Sequence, residues 1–448
     1  MNRNRRSLLG MTLLGMADPV LAALPLSSAQ ARSRLDRELD AIVRDPACEL
    51  ASLSVLAIRD GKVAYAAGFG RRFIGAGALP DRPADADTLY RIASISKMVT
   101  TLGLMRLVEE GRVDLDADVS SPLGFRLRNP HFPDRPITLR HLLSHTSSLR
   151  DDAAYSWGPG IALREVLAPG APLYGEGRMW AANAAPGAYF TYCNLGWGVI
   201  GTLMERVTGE RFDRLMRRLL LDPLGLDAGY NPAALAPRAL SQLATLYRKR
   251  TVDTEVWDPS GPWIAQADDY SARPPQPPAG IEGHPVGVNA TPFSPTGGLR
   301  ISARGLGTIM LMLMNGGVHE GRRILARKTL DAMFERQWTF DGTNGDTLDG
   351  FYQCWGLGNQ QFPDLPAHGN GLVEGGGFAA VGHLGDAYGL VSAFAVDLER
   401  RNGMIMLAGG SASDPLAAAN KGRYSALPRF QERILTALHK STILVQNT

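Results

Sequence analysis

Ser94-Ile95-Ser96-Lys97 sets a hydroxyl and an amine three residues apart, and the run that follows shows what carries them. Met98, Leu102 and Met105 recur at helical spacing, and Gly111 stands where such a helix would stop. Side chains three residues apart share a helix face, so the Lys97 amine can reach the Ser94 oxygen. A serine hydroxyl becomes a useful nucleophile when a neighbouring base takes its proton. A lysine can be that base if burial or nearby cations lower its pKa. Ser94 also falls in the first turn, where free backbone N–H groups favour a developing negative charge.

Two more motifs follow in chain order, Tyr192-Cys193-Asn194 and His383-Leu384-Gly385. With Ser94-x-x-Lys97 they reproduce the order used by penicillin-recognising serine enzymes. The chain therefore resembles the serine β-lactamase-like family, which holds class C β-lactamases, D-alanyl-D-alanine peptidases, D-aminopeptidases and carboxylesterases. The resemblance runs from Ala51 to Glu432. It includes Thr138-Leu-Arg-His-Leu-Leu-Ser-His-Thr-Ser-Ser-Leu149, Asp222-Pro-Leu-Gly-Leu226, Ser294-Pro-Thr-Gly-Gly-Leu299 and Val396-Asp-Leu-Glu-Arg-Arg-Asn-Gly403.

The resemblance implies roles for particular residues. Ser94 would be the nucleophile, with Lys97 and Tyr192 transferring protons; which of the two is the base stays open. Asn194, His383, Gly385 and Asp386 would hold substrate, and the backbone N–H groups of Ser94 and Asp386 would form an oxyanion hole. The third motif departs from the Lys-Thr-Gly of β-lactamases, with His383 for the lysine and Leu384 for the threonine. That threonine helps bind a substrate carboxylate. Leucine offers no donor and Asp386 would repel an anion, so uncharged short-chain esters or amides are expected to outcompete carboxylate-bearing β-lactams. A loop arginine such as Arg273 would restore the missing charge.

Composition fits a globular protein with ample core: 448 residues, 45% hydrophobic, 20% charged, net charge +3. No basic run with interleaved aromatics appears, which argues against nucleic acid. Three cysteines cannot all pair within one chain, and a Cys48–Cys354 bridge is left open. His141 and His145 are four apart, but without the His-Glu-x-x-His pattern they read as structural rather than zinc-binding. No glycine-rich phosphate loop and no Gly-x-Ser-x-Gly elbow occur. Neither cofactor nor metal is implied, and the partner is a small-molecule ester, amide or peptide substrate.

Arg3, Arg5 and Arg6 precede an apolar run from Leu8 to Met16, and Ala29-Gln30-Ala31 reads as a cleavage site. The pattern predicts an export signal over 1–31, of twin-arginine type, and a periplasmic or secreted protein with no stable membrane anchor. The catalytic domain is expected over 32–440 and a tail over 441–448. Ser33–Val43 reads as helix, and Leu53–Ile58 with Val63–Gly68 as a hairpin around Arg59-Asp60-Gly61-Lys62. Helices are expected over Leu195–Val207, Phe212–Leu221, Leu306–Met314 and Arg429–His439. Strands are expected over Gly389–Asp397 and Gly403–Leu407, and a Pro-rich loop over 257–295. The expected fold is α/β (α+β) and β-lactamase/transpeptidase-like: an antiparallel sheet flanked by helices (about 32–90 and 296–440) plus an inserted, mainly helical lobe (about 91–295). The expected activity is hydrolysis of an ester or amide. D-alanyl-D-alanine carboxypeptidase or β-lactamase activity is the alternative, and a sensor or scaffold without turnover is a further one.

Overall fold

Leu53–Ile58 is apolar at nearly every position, the mark of a strand covered on both faces. In the computed structural model, which describes residues 28–75, 77–365 and 369–444, this strand (Ser52–Arg59) is buried almost throughout. It belongs to a nine-stranded sheet. Its neighbours are Lys62–Phe73 and Asn402–Ala408, both antiparallel, with Val55 opposite Met406. The two ends of the chain thus meet in the sheet. Beyond lie Leu390–Asp397, Ala380–Ala387 and three short strands.

The side-chain alternation of the strands sorts their residues into two cores. Leu56, Ile58, Phe394, Ile405 and Leu407 pack with the helices Ile95–Glu109 and Ala303–Met314. Leu53, Val55, Ala57, Ala393, Met404 and Met406 pack with the helices Ser28–Val43 and Arg429–Leu438. Truncating one of these buried side chains to alanine costs about 2–5 kcal/mol.

The chain leaves this layer at Leu89–Arg91 and returns at Arg300–Ser302. The two segments pair antiparallel, with Tyr90 opposite Ile301. Between them the chain is mainly helical, and Ser94 follows directly on the outgoing strand.

The structure moves several expected boundaries. The first helix begins at Ser28 and runs through the expected cleavage site at Ala31; the twin-arginine segment lies outside the described residues. Phe212–Leu221 is an α-helix to Met216 and then a π turn, Arg217–Leu221. The last helix continues past residue 440 as a π turn to Ile443. The Pro-rich stretch contains a strand, Trp263–Ala267, paired with Leu246–Lys249. Cys48, Cys193 and Cys354 are all free. No helix among the described residues is long and apolar enough to cross a membrane.

Candidate active site

The Ile95–Glu109 helix is buried nearly all round, from Ile95 to Met105. A helix apolar on every side belongs in the centre of a molecule, and this one begins at the residue after Ser94. Ser94 occupies the N-cap but makes no side-chain capping bond, so its hydroxyl is free for other partners. Ala93, just before it, has φ +50°. That left-handed conformation costs a non-glycine residue about 1–2 kcal/mol, and such strain gathers at functional sites.

Lys97 is buried, and its three partners are neutral oxygens: Ser94 Oγ at 3.0 Å, Asn194 Oδ1 at 2.7 Å and the Thr296 carbonyl at 3.2 Å. Burial without a contacting carboxylate pushes its ammonium down to about 7, partly offset by the charge of Asp151. The geometry then fixes the neutral amine. Two acceptors, Asn194 Oδ1 and the Thr296 carbonyl, take both of its N–H bonds, so its lone pair faces the Ser94 hydroxyl.

Tyr192 completes the cluster. Ser94 lies beside its phenol and partly offsets the shift that burial imposes, and Lys97 Nζ lies 4.8 Å from its ring centroid. Burial pushes the phenol well above its usual range. The ring stacks on His145 at 4.4 Å and on Tyr352 at 5.6 Å, which pins it in place. His145 accepts the Cys193 N–H at Nδ1, so the residue read as structural is the platform under Tyr192.

Asn194 caps the Leu195–Thr208 helix in position only, with no side-chain capping bond. Its Nδ2 donates to Asp151 Oδ2 at 2.8 Å, and its Oδ1 accepts from Lys97 and, at 2.7 Å, from Thr296 Oγ1. Asp151 also accepts the N–H groups of Asn194 and Leu195 and, at 3.4 Å, the Cys193 thiol. Sequence reasoning missed Asp151 and Thr296. Thr296 lies in a quoted family segment, but nothing in the sequence pairs Asp151 with a residue 43 positions away.

The third motif sits on the Ala380–Ala387 strand. His383 is buried, and its Nδ1 lies 2.6 Å from the Leu384 carbonyl. A carbonyl can only accept, so Nδ1 carries the proton and Nε2 is an acceptor; no partner reaches Nε2 among the described residues. Desolvation pushes the imidazole down to about 3, aided by Lys97. It is a neutral acceptor where β-lactamases carry a cation. Gly385 allows close approach: a Cβ there would lie 2.7 Å from the Ile92 carbonyl and 3.1 Å from the Ser94 amide nitrogen.

Leu384 and Asp386 require a correction. They oppose Ala393 and Val391, which face the core of the terminal helices, and Leu384 packs on that core. His383 opposes Phe394 on the other face. The Leu384 and Asp386 side chains therefore point away from Ser94. Asp386 keeps an exposed edge, yet the protein crowded around its carboxyl pushes it up to about 6. Neither side chain faces Ser94, so that reason for preferring uncharged substrates falls.

The architecture, a buried helix carrying Ser94 and Lys97 against an antiparallel sheet, is matched along the chain. The Beta-lactamase family model fits residues 35–426. The chain belongs to the β-lactamase family. Among curated relatives of this β-lactamase-family protein, esterase EstB of Burkholderia gladioli is 32% identical over 46% of the chain and 54% of its own length. Penicillin-binding protein 4 of Amycolatopsis lactamdurans is 29% identical over 31% of the chain and 35% of its own length. The chain thus spans about a third to a half of these relatives. Among solved structures it resembles EstCE1, a hydrolase with promiscuous acyltransferase activity, at TM-score 0.63 and 20% identity, covering 92% of this chain and 99% of that one. No group of His, Cys, Asp and Glu among the described residues is arranged to hold a metal ion.

Proposed function

We propose that this β-lactamase-family protein is an exported serine hydrolase that cleaves an ester or amide through an acyl-enzyme on Ser94. The observation that carries the reading is the hydrogen-bond count at Lys97, which leaves a neutral amine's lone pair facing Ser94 Oγ at 3.0 Å. Lys97 is then the base and removes the Ser94 proton as the oxygen attacks the carbonyl. Tyr192, held too basic to be ionised beforehand, passes a proton to the leaving oxygen or nitrogen and is reprotonated from Lys97. Water repeats the sequence on the acyl-enzyme and frees Ser94. The amides of Ser94 and Asp386 receive the oxyanion, and the Nε2 lone pair of His383 accepts from a substrate donor or from Tyr192.

The similarity to an esterase supports the hydrolytic reading, and Ser94 at a strained turn supports the choice of nucleophile. A fluorophosphonate probe followed by peptide mass spectrometry tests it: the adduct is expected on Ser94, with steady turnover of a p-nitrophenyl ester. An adduct on another serine overturns the assignment. Export rests on the Arg3–Ala31 segment alone, and N-terminal sequencing of protein from the periplasm checks it.

A further inference from the structure

Three consecutive carbonyls after Pro295 each accept a hydrogen bond from a basic side chain. Thr296 accepts from Lys97, Gly297 from Arg91 Nε at 3.3 Å, and Gly298 from Arg300 at 2.7 Å. Arg91 and Arg300 are thus anchored one and two residues along the chain from the carbonyl that holds Lys97. Both line a cavity of about 340 Å³ roofed by the Pro-rich stretch, together with Asp268, Asp269, Arg273 and Ser294.

The charges in this cavity do not cancel. Arg300 and Asp268 form a bidentate pair at 2.7 and 3.0 Å. Asp269 accepts the Ser271 N–H. Among the described residues, Arg91 and Arg273 have no carboxylate within ion-pair distance. Arg91 is partly buried, and its charge lies 4.6 Å from the ring centroid of Tyr388. Tyr388 is 39% exposed at the turn of the hairpin that carries His383. From the other lobe Tyr155, 44% exposed, is an electrostatic neighbour of Arg91, of Tyr388 and of Asp151. Gly297 ties the cavity to the nucleophile: a Cβ there would lie 3.7 Å from both the Ala93 backbone, next to Ser94, and Ser294 Oγ, which lines the cavity.

Arg91 is partly buried beside Asp268, a carboxylate that Arg300 already pairs, while Arg273 is exposed, and a guanidinium's planar fork matches a carboxylate. Resting on the serine-hydrolase reading, we propose that the Arg91–Arg273 cavity is a subsite for a carboxylate carried by the substrate, so that the enzyme prefers anionic esters or amides over neutral ones. This site is separate from the third motif, whose imidazole is neutral and whose Leu384 faces away.

The test compares kcat/KM for neutral p-nitrophenyl butyrate with two anionic sets. One is the mono-p-nitrophenyl esters of succinate, glutarate and adipate, with the charge on the acyl part. The other is 4-(butyryloxy)benzoate, with the charge on the leaving part. At least one anionic probe should exceed the neutral ester about tenfold, and the ratio should fall as salt is raised. Arg91→Gln should cut that ratio at least tenfold, Arg91→Lys should restore part of it, and Arg273→Gln should cut it less. The ratio is internal to each sample, so partial misfolding of a variant does not mimic the result. Turnover of the neutral ester with a ratio at or below one in the wild type, or a ratio unmoved by Arg91→Gln, overturns the subsite alone. Failure to turn over any of these esters overturns the hydrolase reading and the subsite with it.

Discussion

The Leu195–Thr208 helix has a buried polar cluster at each end, and the two behave differently. At its start, Asn194 holds Lys97, whose partners are all neutral. Near its end, Glu205 and His284 are both fully buried. Each Glu205 oxygen lies 3.1 Å from His284 Nε2 and accepts one backbone N–H at 2.9 Å, from Phe212 or from Gly287. Burial is equal; pairing is not. The lysine, deprived of a counter-charge, is left with a pKa near the working range of a base. The glutamate, fully bonded, fastens the Pro-rich stretch to the helical lobe. Burial by itself does not shift a group toward the range of a base; burial with incomplete pairing does.

The largest expected effect is at the first cluster. Ser94→Ala should lower kcat by roughly 10⁵–10⁶-fold, the scale seen when a serine hydrolase loses its nucleophile. Full activity in this variant would break the comparison at once, since the polar cluster would then be only a packed core.

Lys97→Met should cost about as much activity while changing a different property. Lys97 must be neutral to accept a proton, so wild-type kcat/KM should fall as pH drops through about 7. Its stability signature runs the same way. Between about 7 and 10.5 the unfolded lysine is protonated and the folded one is not, so the unfolded state binds more protons and stability rises with pH. Denaturant melts at pH 7 and pH 10 should show that rise in the wild type and a smaller one in Lys97→Met. Identical slopes would mean the lysine is charged when folded. Tyr192→Phe should cost about 10²–10⁴-fold in kcat.

At the other end of the helix the pattern should invert. Glu205→Ala strands a buried histidine and two backbone donors, and should destabilise the fold by about 3–5 kcal/mol. Turnover of the neutral ester per folded molecule should stay near wild type. A Glu205→Ala protein with unchanged denaturation midpoint but lost kcat would reverse the roles assigned to the two ends.

The sequence carried the helix-borne part of this comparison and little of the rest. Ser94, Lys97, Gly111 and Gly209 follow local rules of spacing and termination, so the Ile95–Glu109 and Leu195–Thr208 helices stand close to where periodicity puts them. Strand alternation is also local and separates the residues of the third motif. Leu384 and His383 cannot both face the substrate, because adjacent strand residues point to opposite faces, and it is His383 that shares the face of Phe394. Asp151, Arg91 and the Glu205–His284 pair could not be read, because each gains its meaning from a partner 40 or more positions away or from a cavity that only the fold closes.

The finest test of the comparison is Asp151→Asn, which keeps shape and removes charge. Asp151 only accepts, so Asn194 must turn its NH₂ toward it and its oxygen toward Lys97. An asparagine at 151 would present one acceptor and one donor to four donating groups, and the Asn194 amide would no longer be held in one orientation. With Asn194 free to offer Lys97 its NH₂ instead of its oxygen, kcat should fall about tenfold, the worth of one misplaced hydrogen bond. The charge acts separately. Asp151 raises the Lys97 pKa against the pull of burial, so without it the lysine stays neutral to lower pH and the acid limb of the pH–rate profile moves downward. A residue that only supported the fold would lower the yield of active protein and leave that limb in place. An unmoved limb with wild-type kcat would show that Asn194 is oriented by Thr296 Oγ1 and Lys97 alone, and that the incomplete pairing of this cluster owes nothing to Asp151.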